Sequence, residues 1–383
     1  MAEKKNVLML LSNPFRPDPR VHKEAKALVN AGYHVTIICW DREGKYALKE
    51  NTDGIDLIRV GPRSAFSEPL KFLTTVPMFW LQAYSLSKKL DWDIIHCHDL
   101  DTLPVGILIS RKKLKPLVYD SHEIYSSMVE EVAPGVPFKL ARTIERWLVK
   151  KPSAVICVND RFKEILDSWG ARKTEVVMGC PPKLEALVNE VENVRRKISP
   201  DGKPVVLYIG VLEKHRSVLE LVSGFASGKC PGAKLVTGGF GSLEKSITET
   251  SNENFLFLGA VKSSDLPKYT LASDILVAVY DPAFGNNRDS VPNKLFEAMG
   301  AGKPIIVANG TWTGQTVVRL KCGLTVKYGD DEIFSAIKNL ITNRELYKTC
   351  AENGLKAFEK EYNWPNMEKR LLRLYDDLAA SEN

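Results

Sequence analysis

The stretch SVPNKLFEAMGAGKPIIVANG, residues 290–310, reads as a loop, a short helix and a buried strand in immediate succession. Pro292 suits the opening turn of a helix, where its missing N–H costs nothing. The amides of Asn293 and Lys294 then stand at a positive helix end, ready for an anion, and Lys294 adds a full charge. Glu297 follows Lys294 by three residues and Asn293 by four, so all three share one helical face. A carboxylate one turn behind a phosphate site is placed to accept hydrogen bonds from a sugar diol. Without a ligand, the same spacing describes a capped helix with a surface Glu–Lys pair, which adds little stability. Gly300 and Gly302 end the helix, and KPIIVA supplies the buried strand.

The succession of strand and helix continues outward from this stretch. Short β-rich runs stand at 7–11, 35–40, 55–60, 94–97, 117–120, 154–158 and 176–178, with helical patterns between most of them. Within 21–31, Val21, Ala25 and Leu28 line one face, with charges between. Near-continuous apolar strands alternating with helices predict a parallel sheet covered on both faces. The rhythm stops at CPPKLEALVNEVENVRRKISPDGKP (180–204), which has proline at both ends and a charged middle and reads as a linker. It restarts with runs at 205–209, 233–237, 255–258, 275–279 and 305–308. The expected architecture is two doubly wound α/β domains, 1–185 and 186–362. Such sheets take ligands at the carboxyl ends of their strands, so the cleft between the domains is the default site. The tail NWPNMEKRLLRLYDDLAASEN (363–383) predicts a helix capped by Asn363, with Pro365 in its first turn. Met367, Leu371, Leu374, Tyr375 and Leu378 fall on one stripe that must dock, either on its own domain or on the first.

Composition bounds the function. The chain has 383 residues, more than one ordinary core holds. Hydrophobic residues at 44% and charged residues at 26% are ordinary for a soluble globular protein. A net charge of +6 does not by itself imply nucleic acid, and none is expected as a partner; it suits an anionic lipid or a phosphorylated ligand. The seven cysteines are scattered, without CxxC or zinc spacing, and Cys39, Cys97 and Cys157 read as small buried hydrophobes of a reduced compartment. The apolar run at 7–11 is too short for a signal peptide, and no run reaches the roughly 18 residues of a membrane span. The expected location is the cytoplasm.

Six pieces carry a family resemblance: DPRVHKEAKALVNAGYHVTII (18–38), DIIHCHDLDTLP (93–104), VYDSHEIY (118–125), YIGVLEKHRSVLELVSGF (208–225), NFLFLGAVKSSDLPKY (254–269) and PNKLFEAMGAGKPI (292–305). In this order they resemble the family-4 retaining glycosyltransferases over essentially the whole chain. That resemblance implies the GT-B architecture, two Rossmann-like domains facing across a cleft. The first would bind the acceptor and the second the nucleotide sugar, with the last helix crossing back to the first domain. In that family two acids spaced eight apart bracket the sugar nucleotide. Glu297 matches the ribose ligand, and Asp289 stands where the family usually has Glu in contact with the donor sugar, one methylene shorter. The amides of Asn293 and Lys294 match those that face the diphosphate. In GVLEKHRS (210–217) the family often carries two cations after Gly210; Arg216 matches the second, Val211 replaces the first and Ser217 replaces a common Gly. Lys214 or Lys294 is left to compensate. A departing diphosphate needs a cation or a metal, and Arg216 supplies one in bidentate form.

In HCHD, His96 and His98 lie on the same side of a strand. With Asp99, Asp101, His122 and Glu123 they could imitate a metal cluster, but further ligands from other strand ends are wanting. The resemblance instead implies that His98 lies near the donor's anomeric centre and His96 is structural. His122 and Glu123 follow the strand ending at Asp120 and are acceptor-side candidates. So is Arg20, which opens a helix where the family commonly has a glycine pair; as a bare sequence feature it equally describes a surface charge. The catalytic candidates are His98, Arg216 and Asp289, and the donor-binding ones Gly210, Arg216, Asn293, Lys294 and Glu297. No metal or other cofactor is expected.

A dehydrogenase would show GxGxxG after the first strand, and SNPFRPD has no glycine. TGGFGSLEK (237–245) has glycines at a strand end and suits a tight turn or a phosphate. A nucleotide-sugar epimerase and a non-catalytic sugar-nucleotide-binding protein share the architecture; labelled nucleotide sugars distinguish them from a transferase. The reading that fits best is retaining transfer from a nucleoside-diphosphate sugar to a glycan or lipid-linked acceptor. RSAFSEPLKFLTTVPMFWLQAYSLSKKL (63–90) is aromatic with basic ends, and basic clusters at 111–115 and 150–151 accompany it. Together they suit an anionic membrane surface, while the same residues also describe a core helix bearing Pro77.

Overall fold

The computed structural model describes residues 5–16, 18–63, 69–250, 252–329 and 331–380. It divides into two compact units, Met1–Met178 with Met367–Asn383, and Gly179–Asn366. The first contains β1 (Asn6–Leu11), α1 (Pro19–Asn30), β2 (His34–Trp40), β3 (Lys49–Thr52), β4 (Ile55–Val60), α2 (Pro69–Ser87) and β5 (Ile94–His98). It continues with α3 (Leu103–Lys113), β6 (Leu117–Ser121), α4 (Tyr125–Val132), α5 (Val136–Leu148), β7 (Ala154–Cys157), α6 (Asp160–Ser168) and β8 (Thr174–Val176). These strands form one sheet in the order β3-β4-β2-β1-β5-β6-β7-β8, parallel except for the β3–β4 pair. Strand β1 is buried from Val7 to Leu11, as a central parallel strand covered on both faces must be.

The second unit holds α7 (Val188–Ile198), β9 (Val205–Val211), a single 3-10 turn at Lys214–Arg216, α8 (Val218–Ala226), β10 (Lys234–Phe240), α9 (Glu244–Glu249) and β11 (Phe255–Phe257). Next come α10 (Leu266–Ala272), β12 (Ile275–Ala278), α11 (Gly285–Asp289), α12 (Asn293–Gly300), β13 (Ile305–Ala308), α13 (Trp312–Leu320) and β14 (Gly323–Val326). Helices α14 (Glu332–Thr342), α15 (Arg344–Lys360) and α16 (Trp364–Ala380) follow. The six strands are all parallel, in the order β11-β10-β9-β12-β13-β14.

Two parallel α/β sheets are what the strand–helix rhythm predicts, but several boundaries differ. The 180–204 stretch is not a free linker. Its charged middle is α7, and Arg195 ties that helix down through Ala272 O (2.9 Å), Asp274 (2.6 Å) and Lys203 O (3.1 Å). The first unit accordingly hands over at Met178 and Gly179, earlier than the expected boundary at 185/186. Strand β8 ends at Val176 instead of starting there, and β3 and β14 were not foreseen. Pro292 is the cap of α12, one position before its first turn. At the other end of that helix, Gly302 takes the left-handed conformation (φ 61°) that closes it.

The last helix behaves as its stripe requires. Asn363 Oδ1 caps it by accepting the Asn366 amide at 3.1 Å. From Met367 onward it belongs to the first unit, with Met367, Leu371, Leu374, Tyr375 and Leu378 buried. Lys5 donates to Ala379 O at 2.9 Å, and Tyr375 meets His96 at 2.7 Å. All seven cysteines are buried and none is in a disulfide. Among the described residues no helix is long and apolar enough to cross a membrane. Part of the 63–90 stretch lies outside the described residues. In the remainder, α2 buries Val76, Phe79 and Ala83 and exposes Met78 and Leu81.

Candidate active site

In the second unit, β9 lies between β10 and β12, so the winding direction reverses between β9 and β12. An open α/β sheet takes its ligand beyond the carboxyl ends of such strands. Lys294 reaches this point from the start of α12. Its ammonium lies 3.3 Å from the Tyr280 hydroxyl and 4.5 Å over the Tyr208 ring. The Arg216 guanidinium, from the turn after β9, lies 4.4 Å over the Tyr280 ring. Burial alone would raise the Tyr280 phenol, but the charges of Lys294 and Arg216 together outweigh it and hold the group below its ordinary value. A field that draws down a buried phenol is a field that holds an anion. A Cβ on Gly210 would come within 2.4 Å of Lys294 Nζ, so glycine leaves the ammonium its room. A Cβ on Gly239 would fall 1.8 Å from Gly210 O, which gives the TGGFGSLEK glycines a role in close strand approach.

Helix α12 adds backbone donors at the same place, because the first amides of a helix, here those of Asn293 and Lys294, have no intrahelical acceptor. Glu297 is buried one turn further on, and Lys294 is buried as well, so neither belongs to a solvated salt bridge. Asp289 ends α11, also buried, with its carboxylate 3.1 Å from Arg288. Of the two lysines left to compensate for Val211, Lys294 stands beside Arg216, while Lys214 is exposed and its carbonyl accepts from Tyr328.

In the first unit the corresponding reversal lies between β1 and β5. Asp120, on β6, is the hub of a polar cluster there. Arg20 grips both its oxygens, from Nε at 3.0 Å and Nη2 at 2.6 Å, and gives Nη1 to Val177 O at 2.9 Å. His122 Nε2 lies 2.7 Å and His98 Nδ1 3.3 Å from Asp120 Oδ2. The second nitrogen of His122 lies 3.3 Å from Asp99, a non-glycine residue in the left-handed region (φ 62°). Glu24 approaches Arg20 Nη2 at 3.2 Å. Burial opposes the charge on Asp120, yet Arg20 and then His122 hold its carboxyl well below the usual range. Burial likewise opposes His122⁺, and the charges of Asp120 and Asp99 overcome it, raising this imidazole well above its ordinary value. His96, stacked on His98 at 4.2 Å, is kept neutral by burial and by His98.

Two of the candidates stand deeper than their place in the sequence suggests. Arg20, 16% exposed, is less a surface charge than the counter-ion that a buried Asp120 demands. His98 does not face outward. Its side chain is 0% exposed, whereas that of His122 is 20% exposed, so His122 is the histidine of this cluster that reaches the surface. Glu123 follows it, half-buried, its carbonyl accepting from Ser121 at 2.9 Å. Glu24, His96, His98 and Asp120 do bring donor atoms within 4.8 Å of one another, as a metal ion would need. Arg20 already lies against both carboxylates, however, and a divalent ion would add charge to a group already neutralised. The sequence alone marks Tyr375 for packing and gives no role to Glu24, Tyr208 or Tyr280. The two tyrosines stand on or just after β9 and β12, the strands of the reversal, which is the signal that would have found them.

Residues 20–178 match the family model described as Glycosyltransferase Family 4, and residues 190–357 match Glycosyl transferases group 1. The chain is 26% identical over 376 residues to the uncharacterized glycosyltransferase MJ1607 of Methanocaldococcus jannaschii, covering 92% of this chain and 91% of that one. It is 25% identical over 372 residues to a GDP-mannose-dependent alpha-mannosyltransferase of Mycobacterium tuberculosis, covering 93% and 91%. Among solved structures, sucrose-phosphate synthase from Thermosynechococcus elongatus shares the fold with a TM-score of 0.81 at 19% identity, covering 98% of this chain and all (100%) of that one. HepE of Anabaena, in complex with UDP-glucose, shares it with a TM-score of 0.72 at 16% identity, covering 97% and 100%.

Proposed function

The chain belongs to the glycosyltransferases that pair a family-4 domain with a group-1 domain in the GT-B fold, and from that premise we propose that it moves a sugar, with retention of configuration, from a nucleoside-diphosphate sugar to a glycan or lipid-linked acceptor. The observation that carries the donor half is the Lys294–Arg216–Tyr280 arrangement at the strand reversal of the second unit. In this reading Lys294, Arg216 and the first amides of α12 hold the diphosphate and stabilise it as it leaves. Gly210 gives the phosphates close approach to the backbone, Glu297 takes the ribose diol and Asp289 the donor sugar. The names of the relatives, one dependent on GDP-mannose and one bound to UDP-glucose, support a nucleotide-sugar donor.

In the first unit, His122 and Glu123 are the acceptor-side groups. Asp120 keeps His122 protonated and oriented, and His98, Arg20 and Asp99 position that pair. His98 thus acts on the reaction through Asp120 and not by touching the sugar. Departure of the diphosphate is served by Arg216 and Lys294, so no metal is needed, and the leaving phosphate itself accepts the acceptor's proton. A lipid-linked acceptor would bring the first unit to an anionic membrane, on its cytoplasmic side.

The test is incubation with UDP- and GDP-linked hexoses and a panel of glycan and polyprenyl-phosphate acceptors. Transfer that keeps the donor's anomeric configuration and survives EDTA is the expected result. A donor sugar altered in the absence of acceptor, or activity abolished by EDTA and restored by a divalent ion, would contradict it.

A further inference from the structure

Helix α5 is apolar around more of its circumference than the first unit covers. Its sequence is VPFKLARTIERWL, and its inward side buries Glu145 and Leu148, with Val149 following. The Glu145 carboxylate accepts the amides of Tyr125 at 2.8 Å and Ser126 at 2.9 Å, which cap the start of α4. That contact fixes which way α5 faces. At about 100° per residue, Val136, Leu140, Ile144 and Trp147 form one stripe beside the buried side. Their exposures are 78%, 60%, 47% and 55%. Lys139, Arg142 and Arg146 are exposed on one flank of α5, between the stripe and the buried side, and Lys150 and Lys151 follow the helix. The Lys151 ammonium lies 4.5 Å over the Trp147 ring. The buried Glu145 is the one carboxylate on α5.

The topology extends this surface. The connections β4→β5, β5→β6 and β6→β7 all run the same way across the sheet, so right-handed crossovers put α2, α3 and α5 on one face. Between α2 and α3 opens a groove of about 660 Å³, lined by Trp80, Leu81, Tyr84 and Leu108 together with Arg111 and Lys112.

We infer that the outer side of the α2–α3–α5 layer docks on an anionic lipid bilayer. The α5 stripe enters at headgroup depth, the flanking cations meet the lipid phosphates, and the groove takes an acyl chain. Charge decides between a bilayer and a second copy of the chain. A two-fold contact would set this cationic surface against itself, whereas an anionic headgroup layer complements it. The inference deepens the membrane contact proposed above, and rests on that reading only for the choice of a bilayer.

Sedimentation with phosphatidylglycerol or phosphatidylcholine vesicles tests it, with UDP and GDP affinity measured on the same proteins. The variants are Leu140→Glu/Ile144→Glu/Trp147→Glu, Arg142→Gln/Arg146→Gln and, as a control on exposed apolar residues of the second unit, Leu187→Glu/Val188→Glu. Wild type should pellet with phosphatidylglycerol and not with phosphatidylcholine. The triple variant should lose about tenfold or more in partitioning, and the double arginine variant a smaller factor that vanishes at high salt. The control, and nucleotide affinity throughout, should not change. Wild type left in the supernatant, a triple variant that pellets like wild type, or a wild-type dimer that the triple variant converts to monomer overturns the docking surface. Vesicle binding lost in the triple variant of a protein that binds no nucleotide supports the surface and sinks the donor reading alone.

Discussion

Ser217 sits at φ 49°, in the left-handed region, and its buried hydroxyl finds no hydrogen-bond partner among the described residues. Glycine would relieve both the strain and the orphaned hydroxyl, against a smaller entropic cost, so Ser217→Gly should stabilise the protein by about 1 kcal/mol in denaturant melts. A destabilised variant would show that the hydroxyl has a role the backbone does not reveal. Glu24 makes a second test. Burial, and then the charge of Asp120, push it up to about 7. Between the ordinary carboxyl value of 4.5 and about 7 the folded chain binds a proton that the unfolded chain has lost. Stability contributed by the neutral form therefore falls as pH rises through that window. Glu24→Gln has no such loss, so its stability relative to wild type should climb between about pH 5 and about pH 8, by at most about 3 kcal/mol. Urea melts at the two pH values decide it, and a relative stability that falls instead would mean that Arg20 keeps Glu24 ionised. At this scale the sequence revealed residue types and shared faces, as for His96 and His98. It did not reveal depth: alternation along β5 says which side His98 occupies, and only the packing of the first unit shows that this side is closed.

Helix α16 is the element on which the first unit leans most visibly. It buries Met367, Leu371, Leu374, Tyr375 and Leu378 there, although nearly two hundred residues of the second unit separate them in sequence from the rest of the first. At 1.5–3 kcal/mol for each such side chain, the five represent roughly 10 kcal/mol, comparable to the whole stability of a domain. A chain ending at Asn366 should therefore lose the first unit, seen as rapid proteolysis within 5–178 while 179–366 resists. Equal resistance of both parts would mean that α16 is an accessory. This helix was legible because five apolar residues keep the helical period between a cap and the chain end. Helix α7 was not, because the prolines on either side of it signal a break while its own face buries only Ile198. Strand β3, KENT, carries no apolar residue and owes its conformation to pairing with β4. Such an element is set by its neighbour and leaves no pattern of its own.

At the scale of the whole molecule, two sheets each reverse their winding once, and each reversal gathers charge. In the first unit the charge is internally paired around Asp120; in the second, Lys294 and Arg216 crowd the Tyr280 phenol beside the start of α12. The doubly wound architecture was readable because parallel strands buried on both faces leave nearly unbroken apolar runs. The anion site was readable in part, from the start of α12, but its tyrosines were not, since a tyrosine at a strand end looks like any other core residue until the strand order is known. The central claim is that the Lys294–Arg216 site at this second reversal holds the diphosphate of a nucleotide sugar. Titration calorimetry with UDP and GDP on wild type, Arg216→Ala, Lys294→Ala and Glu297→Ala tests it most directly. A charge-assisted hydrogen bond is worth about 1.5–3 kcal/mol, so one of the two nucleotides should bind wild type and each variant should bind it about ten- to a hundredfold more weakly. Wild-type affinity retained in all three variants, or no binding of either nucleotide to the wild type, would contradict the claim.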